Sequence, residues 1–513
     1  MFLQSELVNP NTNVSIILPE IIVAVAGIVV MLYDTFFPKQ RTVTGIISIV
    51  GLALAGIVLY TMWGNDYAAP TNAWNGMIAN DNLRLSFSFV FLLVTALTVL
   101  ISTVWTERED VPIGEYHCLL LFATVGMMLM ASGNDLVVIF LGLETSSIAT
   151  YVMAGLRKSD LRSNESSMKY FILGSFASAF LLYGMALIYG ATGSTNITEI
   201  AVRLENPNFP ALLLIGGAML IVGFGFKVAA VPFHVWTPDV YEGAPTPVTA
   251  FMAAGPKTAA FASFIRVFVL GFPLIAGAQA SGVLHESWIT ALAVIGMLTM
   301  TVGNFAAIVQ NNVKRMLAYS SIAHAGYALV GFVGAGMAKT DAARDAAIAS
   351  VAFYMLTYAV TNLGAFAIVT LLAQKNDRRT DFEDYNGIGF KTPVLAFSLS
   401  LFMLSLLGLP LTAGFMGKVL VFRPALEAGN TLLTFLVVVA VVNTAISAYY
   451  YLRLIVVMFF RERADEWNAP RIPTALAAVL VITIIGVFYF GIFSDSVIER
   501  FSTSPNAIVK AER

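Results

Sequence analysis

Long apolar stretches recur along almost the whole chain and limit what it can fold into. A helix needs about 20 mostly apolar residues to cross the hydrocarbon core of a bilayer, and the sequence supplies such stretches repeatedly. Membrane β-strands would be about 10 residues long and alternating, and these stretches are neither. Only 12% of the 513 residues are charged and 58% are hydrophobic. We therefore expect an all-α integral membrane protein that crosses the bilayer many times.

The pattern predicts about 14 transmembrane helices. Their approximate positions are 16–36, 42–63, 84–105, 116–132, 134–156, 168–191, 210–233, 246–273, 288–309, 314–337, 345–373, 394–422, 433–459 and 474–494.

Basic residues in the loops predict the orientation, because lysine and arginine accumulate on the cytoplasmic side. An even number of spans places both termini on one side. If that side is the outside, about 15 basic residues lie in the inner loops and about 8 in the outer loops, span edges and tails. We expect both termini on the outer, periplasmic side of a membrane, most simply a bacterial plasma membrane.

Two predicted spans are interrupted in the same way. The seventh ends with "FKVAAVPFHVWTPD" and the twelfth contains "LLGLPLTAGFMGKVLVF". They lie five spans apart, and paired interruptions of this kind are typical of transporters built from inverted repeats. We therefore expect two inverted five-helix repeats with broken helices 7 and 12. The implied divisions are peripheral helices in 1–115, the first repeat in 116–273, the second in 288–459, and a C-terminal helix with its tail in 460–513.

Ionisable residues inside the spans are the candidate functional groups, because such residues are costly in a bilayer. Glu144, Lys257 and His324 fall near the middle of their spans. Lys227 and Lys418 fall late in theirs, and a broken helix would bring them inward. A mid-span histidine is more often a hydrogen-bonding residue than a proton carrier, and an intramembrane glutamate is often protonated or paired. As a set, however, these groups predict a proton relay.

Other chemistry finds little support in the sequence. Cys118 is the only cysteine, so an internal disulfide or a cluster held by several cysteines is excluded. The four histidines lack close metal-ligand spacing, and "GFGFK" lacks the spacing of a phosphate-binding loop. The 29 basic and 31 acidic residues nearly cancel, so nothing predicts nucleic-acid binding.

At these residues the sequence resembles the antiporter-like membrane subunits of respiratory complex I, the proton-pumping NADH:quinone oxidoreductase, and among them the subunit N type. The resemblance covers nearly the whole chain. The stretches that carry it are "NDLVVIFLGLETSSIATYVMAG", "SNESSMKYFILGSFASAFLLYGMALIYG", "GFKVAAVPFHVWTPDVYEGAPTPVTAF", "QNNVKRMLAYSSIAHAGYALVG" and "GLPLTAGFMGKVLVF".

The resemblance implies roles for the intramembrane residues. Glu144 matches the glutamate of helix five, which pairs with the lysine of helix seven, here Lys227. Lys257 matches the central lysine of helix eight, and Lys418 the terminal lysine of helix twelve. Lys169 matches a lysine of helix six, although a lysine near a helix end often only reaches the headgroups.

The resemblance also implies that His234 and His324 link the lysines. Proteins of this family hold no flavin, iron–sulfur cluster or haem of their own, so the chain would be a non-redox, translocase subunit of an enzyme. NADH, FMN, iron–sulfur clusters and quinone would be used by other subunits. The implied partners are other membrane-arm subunits, especially neighbouring antiporter-like and small membrane subunits, together with lipids.

Two alternatives stay open from the sequence. One is a subunit of a related multisubunit cation/proton antiporter or of a membrane-bound hydrogenase, which share the fold. The other is a purely structural membrane-arm subunit without an ion path, for which substitutions at the lysines would damage assembly rather than turnover.

Overall fold

A computed structural model describes residues 14–38, 40–64, 74–207, 209–274, 279–462 and 470–502. Within these ranges the chain is helical, with three isolated β-bridges and no strand. The two ends of the chain, 1–13 and 503–513, lie outside the described residues, so the side on which the termini lie stays a prediction.

The helices are numbered in chain order. They are α1 (Leu18–Phe36), α2 (Arg41–Gly64), α3 (Asn82–Glu109), α4 (Ile113–Ser132), α5 (Leu136–Ala154), α6 (Leu161–Thr192), α7 (Ile197–Arg203), α8 (Pro210–Val228), α9 (Thr237–Gly243), α10 (Thr246–Phe264, continued by a π-helical segment, Ile265–Leu270), α11 (Gln279–Ile308), α12 (Val313–Gly336), α13 (Asp341–Leu372), α14 (Ile388–Lys391), α15 (Pro393–Leu407), α16 (Ala413–Glu427), α17 (Thr431–Phe460), α18 (Thr474–Ile492) and α19 (Ser494–Ser502).

Thirteen helices of the described ranges are long and apolar enough to cross a membrane. The remaining predicted span, 394–422, consists of two 15-residue helices, α15 and α16. The predicted class, an all-α protein that crosses the membrane many times, is confirmed.

Both predicted breaks are present, and local chemistry accounts for them. Helix α8 ends at Val228, five residues before the predicted end, because Ala229 adopts a left-handed conformation (φ 61°) and Pro232 lacks an N–H group to continue the helix. Helix α15 ends at Leu407 because the next residue, Gly408, has a φ of 98°, a conformation that glycine adopts without steric cost. Each break leaves a half-helix end inside the protein.

Two runs of helices, α4–α10 and α11–α17, share the same order of elements. Each contains a 32-residue helix, α6 or α13, followed by the interrupted helix. In the first run the N-cap residue of α5, Asp135, forms a β-bridge with Asn196 after α6. In the second run the N-cap residue of α12, Asn312, bridges Asp381 after α13. Five membrane-length helices lie between the two matching bridges, the odd number that an inverted repeat requires.

Helices α10, α12 and α13 form the interior of the protein, since nearly all residues of their membrane-spanning parts are buried. Helices α1, α2, α17 and α18 lie at the periphery, where large apolar side chains are exposed. Lys257 on α10 and His324 on α12 therefore occupy the best shielded part of the fold.

The contact between α4 and α5 depends on Gly126. A Cβ atom there would lie 2.6 Å from both the carbonyl oxygen of Gly142 and the amide nitrogen of Ser146, and backbone atoms cannot yield locally. We expect Gly126→Ala to separate the helices and lower the melting temperature of the purified protein. Gly282→Ala is the control because a Cβ there meets no atom within 4 Å. Equal melting temperatures for the two variants would contradict this packing.

Candidate functional site

Lys227 lies in the last turn of α8 and is held by hydroxyl groups of α5. Its Nζ donates hydrogen bonds to Ser147 Oγ (2.7 Å) and to Tyr151 OH (3.2 Å). The ring of Tyr151 also lies 5.4 Å from the ammonium group, a distance at which a cation and an aromatic ring attract each other. The break after α8 therefore delivers the ammonium group to the polar face of α5.

Glu144 lies one turn earlier on α5 and turns toward α6, where its carboxylate accepts a hydrogen bond from Ser178 Oγ. The expected contact ion pair between Glu144 and Lys227 is thus not formed among the described residues. The reason is geometric: the Lys227 side chain reaches the later turns of α5, at Ser147 and Tyr151. The Lys227 ammonium group contacts α5 one turn after Glu144, and each charge has a hydroxyl partner.

A small cavity lies between α5, α8 and α10. Lys227 lines one part of it and Pro256, the residue before Lys257, lines another. Ser146, Ser147 and Thr150 of α5 are also in its wall. Most of the wall is apolar, so these hydroxyl groups and the Lys227 ammonium group are the hydrogen-bond partners that the cavity offers to water.

Lys257 is buried, with 2% of its surface exposed. Its Nζ donates to the carbonyl oxygen of Ser321 (2.8 Å) and to Ser321 Oγ, both on α12. No carboxylate forms an ion pair with it in the described residues. Lys257 is therefore an ammonium group held only by neutral oxygen atoms.

His324 is buried on α12, and both of its ring nitrogens contact tyrosine hydroxyl groups. Nδ1 lies 2.7 Å from Tyr354 OH on α13, and Nε2 lies 3.2 Å from Tyr451 OH on α17. A neutral imidazole has one donor and one acceptor nitrogen, so the two tyrosines satisfy the whole ring. This arrangement suits a group that receives a proton on one side and releases it on the other.

Lys418 is buried on α16 beside the second break. Its Nζ donates to the carbonyl oxygen of Leu407 (2.9 Å), at the end of α15, and lies 4.7 Å from the centre of the Tyr327 ring. The last carbonyl groups of a helix carry partial negative charge. The break between α15 and α16 thus leaves a helix-end carbonyl group free to accept the hydrogen bond of Lys418.

Lys169 and His234 lie apart from this interior series. Lys169 is 39% exposed and forms ion pairs with Glu165 (2.6 Å) and Asp239 (2.8 Å). His234 is half-buried in the break after α8, and its Nδ1 has no hydrogen-bond partner among the described residues. Lys227 and Lys257 donate to other groups and no hydrogen bond joins them to His234 among the described residues, so a link through His234 stays a prediction.

A buried ionic cluster around Asp377 was not predicted from the sequence. The Asp377 carboxylate lies 3.1 Å from Lys314 Nζ, 3.2 Å from Arg157 Nη1 and 3.6 Å from Arg108 Nη2, and it accepts from the amide of Thr246 at the start of α10. These residues come from distant parts of the chain, and no spacing pattern relates them. A second pair missed by sequence reasoning is Arg266 with Asp81, joined by two 2.8 Å hydrogen bonds.

The described residues hold no group of three or more histidine, cysteine, aspartate or glutamate side chains able to bind a metal. The chemistry that the arrangement offers is proton exchange between lysine, histidine, tyrosine and serine side chains.

Comparisons with known proteins agree with one another. The family model described as NADH:quinone oxidoreductase/Mrp antiporter, TM, matches residues 133–487. A protein of Trichlorobacter lovleyi named NADH-quinone oxidoreductase subunit N is 43% identical over 490 residues, covering 95% of this chain and 96% of the relative. NADH-quinone oxidoreductase subunit N 2 of Koribacter versatilis is 43% identical over 509 residues, covering 98% of each chain.

Solved structures show the same fold. A chain of respiratory complex I from Thermus thermophilus with bound Aureothin is 35% identical, with a TM-score of 0.76 and coverage of 94% of this chain and 99% of that one. A chain of the Mrp complex from Dietzia is similar in fold, with a TM-score of 0.79 at 19% identity and coverage of 96% and 97%.

Proposed function

The chain belongs to the NADH:quinone oxidoreductase/Mrp antiporter family of membrane subunits, and on this premise we propose that it moves protons across the membrane as part of an NADH:quinone oxidoreductase. Electron transfer in other subunits, with their NADH, FMN, iron–sulfur clusters and quinone, supplies the driving force. The chain is then a non-redox subunit of a translocase.

One observation carries the proposal: ionisable side chains follow one another from one break to the other. The series begins at Lys227, continues past the small cavity to Lys257 and then to His324, and ends at Lys418. Buried charges are expensive in a membrane and mark ion pathways where they persist. Lys169 and His234 are the outlying members of the proposed set, and His234 acts through water or a movement of the break.

Glu144 is the proposed switch at the start of the path. An opposite charge close to a buried ammonium group favours the charged form, and here Lys227 of α8 contacts α5 at Ser147, one turn after Glu144. A change in their separation alters how firmly Lys227 holds its proton. Because Glu144 is half-buried at the α5–α6 surface, a neighbouring membrane subunit is suitably placed to cause that change.

The remaining features of the proposal concern the whole chain. The two repeats occupy 116–273 and 288–459, flanked by the peripheral helices of 1–115 and the C-terminal part, 460–513. The protein lies in a bacterial plasma membrane with both termini on the periplasmic side. Its partners are neighbouring antiporter-like and small membrane subunits of the complex, and lipids.

Alanine at Lys227 or Glu144 tests this function. We expect either variant to depress NADH-driven proton pumping in membrane vesicles severely, because the path loses its first carrier or the charge that controls it. Lys158→Ala is the matched control, since Lys158 is an exposed loop lysine outside the path. Blue-native gels establish that the complex is assembled.

The alternatives give different outcomes. A purely structural subunit predicts that the Lys227 and Glu144 variants lose assembled complex while any complex that forms pumps normally. Unimpaired pumping at normal assembly would remove both residues from the path. The related antiporters and hydrogenases are less favoured, because the 35% identical solved relative is a respiratory complex I chain and the Mrp relative shares the fold at 19% identity.

A further inference from the structure

Tyr451 and Tyr354 face the two ring nitrogens of His324 from different helices. Tyr451, on α17, contacts Nε2 at 3.2 Å, and Tyr354, on α13, contacts Nδ1 at 2.7 Å. Both tyrosines are buried, with 0% and 1% of their surfaces exposed. A buried tyrosine hydroxyl usually has a hydrogen-bond partner, and for both of these tyrosines that partner is the His324 ring.

The two tyrosines lead toward different lysines. The Tyr451 hydroxyl also hydrogen-bonds Ser320 Oγ, and the next residue, Ser321, accepts from Lys257. The ring of Tyr354 lies on the other side, against Gly417, where an added Cβ would be 3.1 Å from its Cδ2 atom. Gly417 directly precedes Lys418 in the sequence.

We propose that the Tyr451 hydroxyl is the group that exchanges protons with Nε2 of His324, on the Lys257 side of the path; this rests on the proposed function. In the exchange, the phenolic O–H bond breaks as the Nε2–H bond forms, and the phenolic oxygen takes the hydroxyl proton of Ser320. Ser320 regains a proton that originates from the Lys257 ammonium group bonded to Ser321, and a water molecule carries it from the Ser321 hydroxyl to Ser320 because adjacent residues of a helix do not face each other. Lys257 thus loses one proton, His324 gains one, and the three hydroxyl groups end unchanged.

The chain offers a matched control in the adjacent residue. Tyr450 is also on α17 and 1% exposed; its hydroxyl donates to Asn304 Oδ1 (2.9 Å) and neighbours the Tyr451 hydroxyl, but it does not contact His324. Tyr451→Phe and Tyr450→Phe remove the same atom from the same helix at the same degree of burial. The two variants differ in whether the lost hydroxyl faces His324.

The test compares both variants in the assembled complex, in vesicles energised with NADH. We expect Tyr451→Phe to lower the rate of proton translocation about tenfold or more, a typical effect of removing a proton-transfer group, and Tyr450→Phe to retain a near-normal rate. Equal rates for the two variants, whether both normal or both impaired, would overturn the proposal. If Lys227→Ala loses pumping while Tyr451→Phe keeps it, this inference fails and the proposed function stands.

A tyrosine analogue separates proton exchange from simple packing. Difluorotyrosine at position 451 restores the hydroxyl with a more acidic phenol, so we expect pumping to return with a shifted pH profile, whereas the analogue at position 450 leaves the profile unchanged. An unshifted pH profile of pumping at position 451 would assign the hydroxyl a structural role and overturn the proposal.

The pH profile also depends on the other titratable groups that face His324. These are Lys257 on α10, Tyr327 on α12, Tyr354 and Tyr358 on α13, Lys418 on α16 and Tyr451 on α17.

Discussion

Replacing Asp377 by asparagine will destabilise the protein by about 3–5 kcal/mol, the usual cost of removing one partner from a buried ion pair. The carboxylate is the shared counterion of Lys314, Arg157 and Arg108, and its residue is 6% exposed. Asparagine keeps the shape of the side chain and tolerates the positive φ of 49° at this position. The loss is therefore one of charge. Among the described residues Lys314 keeps no carboxylate partner, while Arg157 and Arg108 keep only Asp160 and Glu109, each at 3.5 Å.

Thermal unfolding of the purified protein and the yield of assembled complex both measure this effect. The control is Asp341→Asn, because Asp341 pairs with Arg344 at the surface, where its side chain is 51% exposed and such pairs contribute little. If the Asp377 variant unfolds at the same temperature as the Asp341 variant, the cluster does not stabilise the fold.

The pH dependence of stability gives a second measure of the same cluster. Burial alone would raise the pKa of Asp377, but the charges of Lys314 and Arg157 outweigh it and hold that pKa below the ordinary value of 3.8. The stabilisation is therefore complete at neutral pH and is lost as the pH falls through the lowered pKa of the folded state. We expect the difference in stability between wild type and Asp377→Asn to narrow only below about pH 4.

Much of the fold was accessible from the sequence, because the bilayer imposes a length on every apolar stretch and glycine and proline mark the breaks. The positions of Lys257 and His324 were accessible too: the rise of a helix places both at mid-span, and both are buried. Lys418 could be placed only through the break, since counting residues leaves it near the end of its span.

Contacts between side chains of different helices were not accessible, because they depend on how each helix is rotated about its axis. Glu144 and Lys227 were expected to touch, yet α5 presents Ser147 and Tyr151 to the lysine. Tyr451 had no distinguishing signal, since aromatic residues are common in membrane helices. Asp377 lies in a short polar loop, where an acidic residue is ordinarily solvated.

Lys257→Met is expected to abolish proton translocation while leaving the protein as stable as before, or more stable. Lys257 has no carboxylate partner among the described residues and donates only to Ser321. A buried charge without a counterion costs free energy, so we expect the cost that an apolar side chain of similar length removes to offset the hydrogen bonds to Ser321 that it loses. Proton transfer, and not stability of the fold, then explains why a lysine occupies position 257.

Lys314→Met is the informative comparison, because Lys314 is equally buried on the adjacent helix α12 but is paired with Asp377. We expect the Lys314 variant to unfold at a lower temperature, and the Lys257 variant to keep its unfolding temperature while pumping falls below about a tenth of the wild-type rate, as loss of a proton-transfer group implies. Normal pumping by the Lys257 variant, or an equal loss of stability in both variants, would contradict this division. The expected result assigns different roles to two buried lysines on neighbouring helices. Lys314 neutralises a carboxylate that stabilises the fold, whereas Lys257 serves proton transfer and does not stabilise the fold.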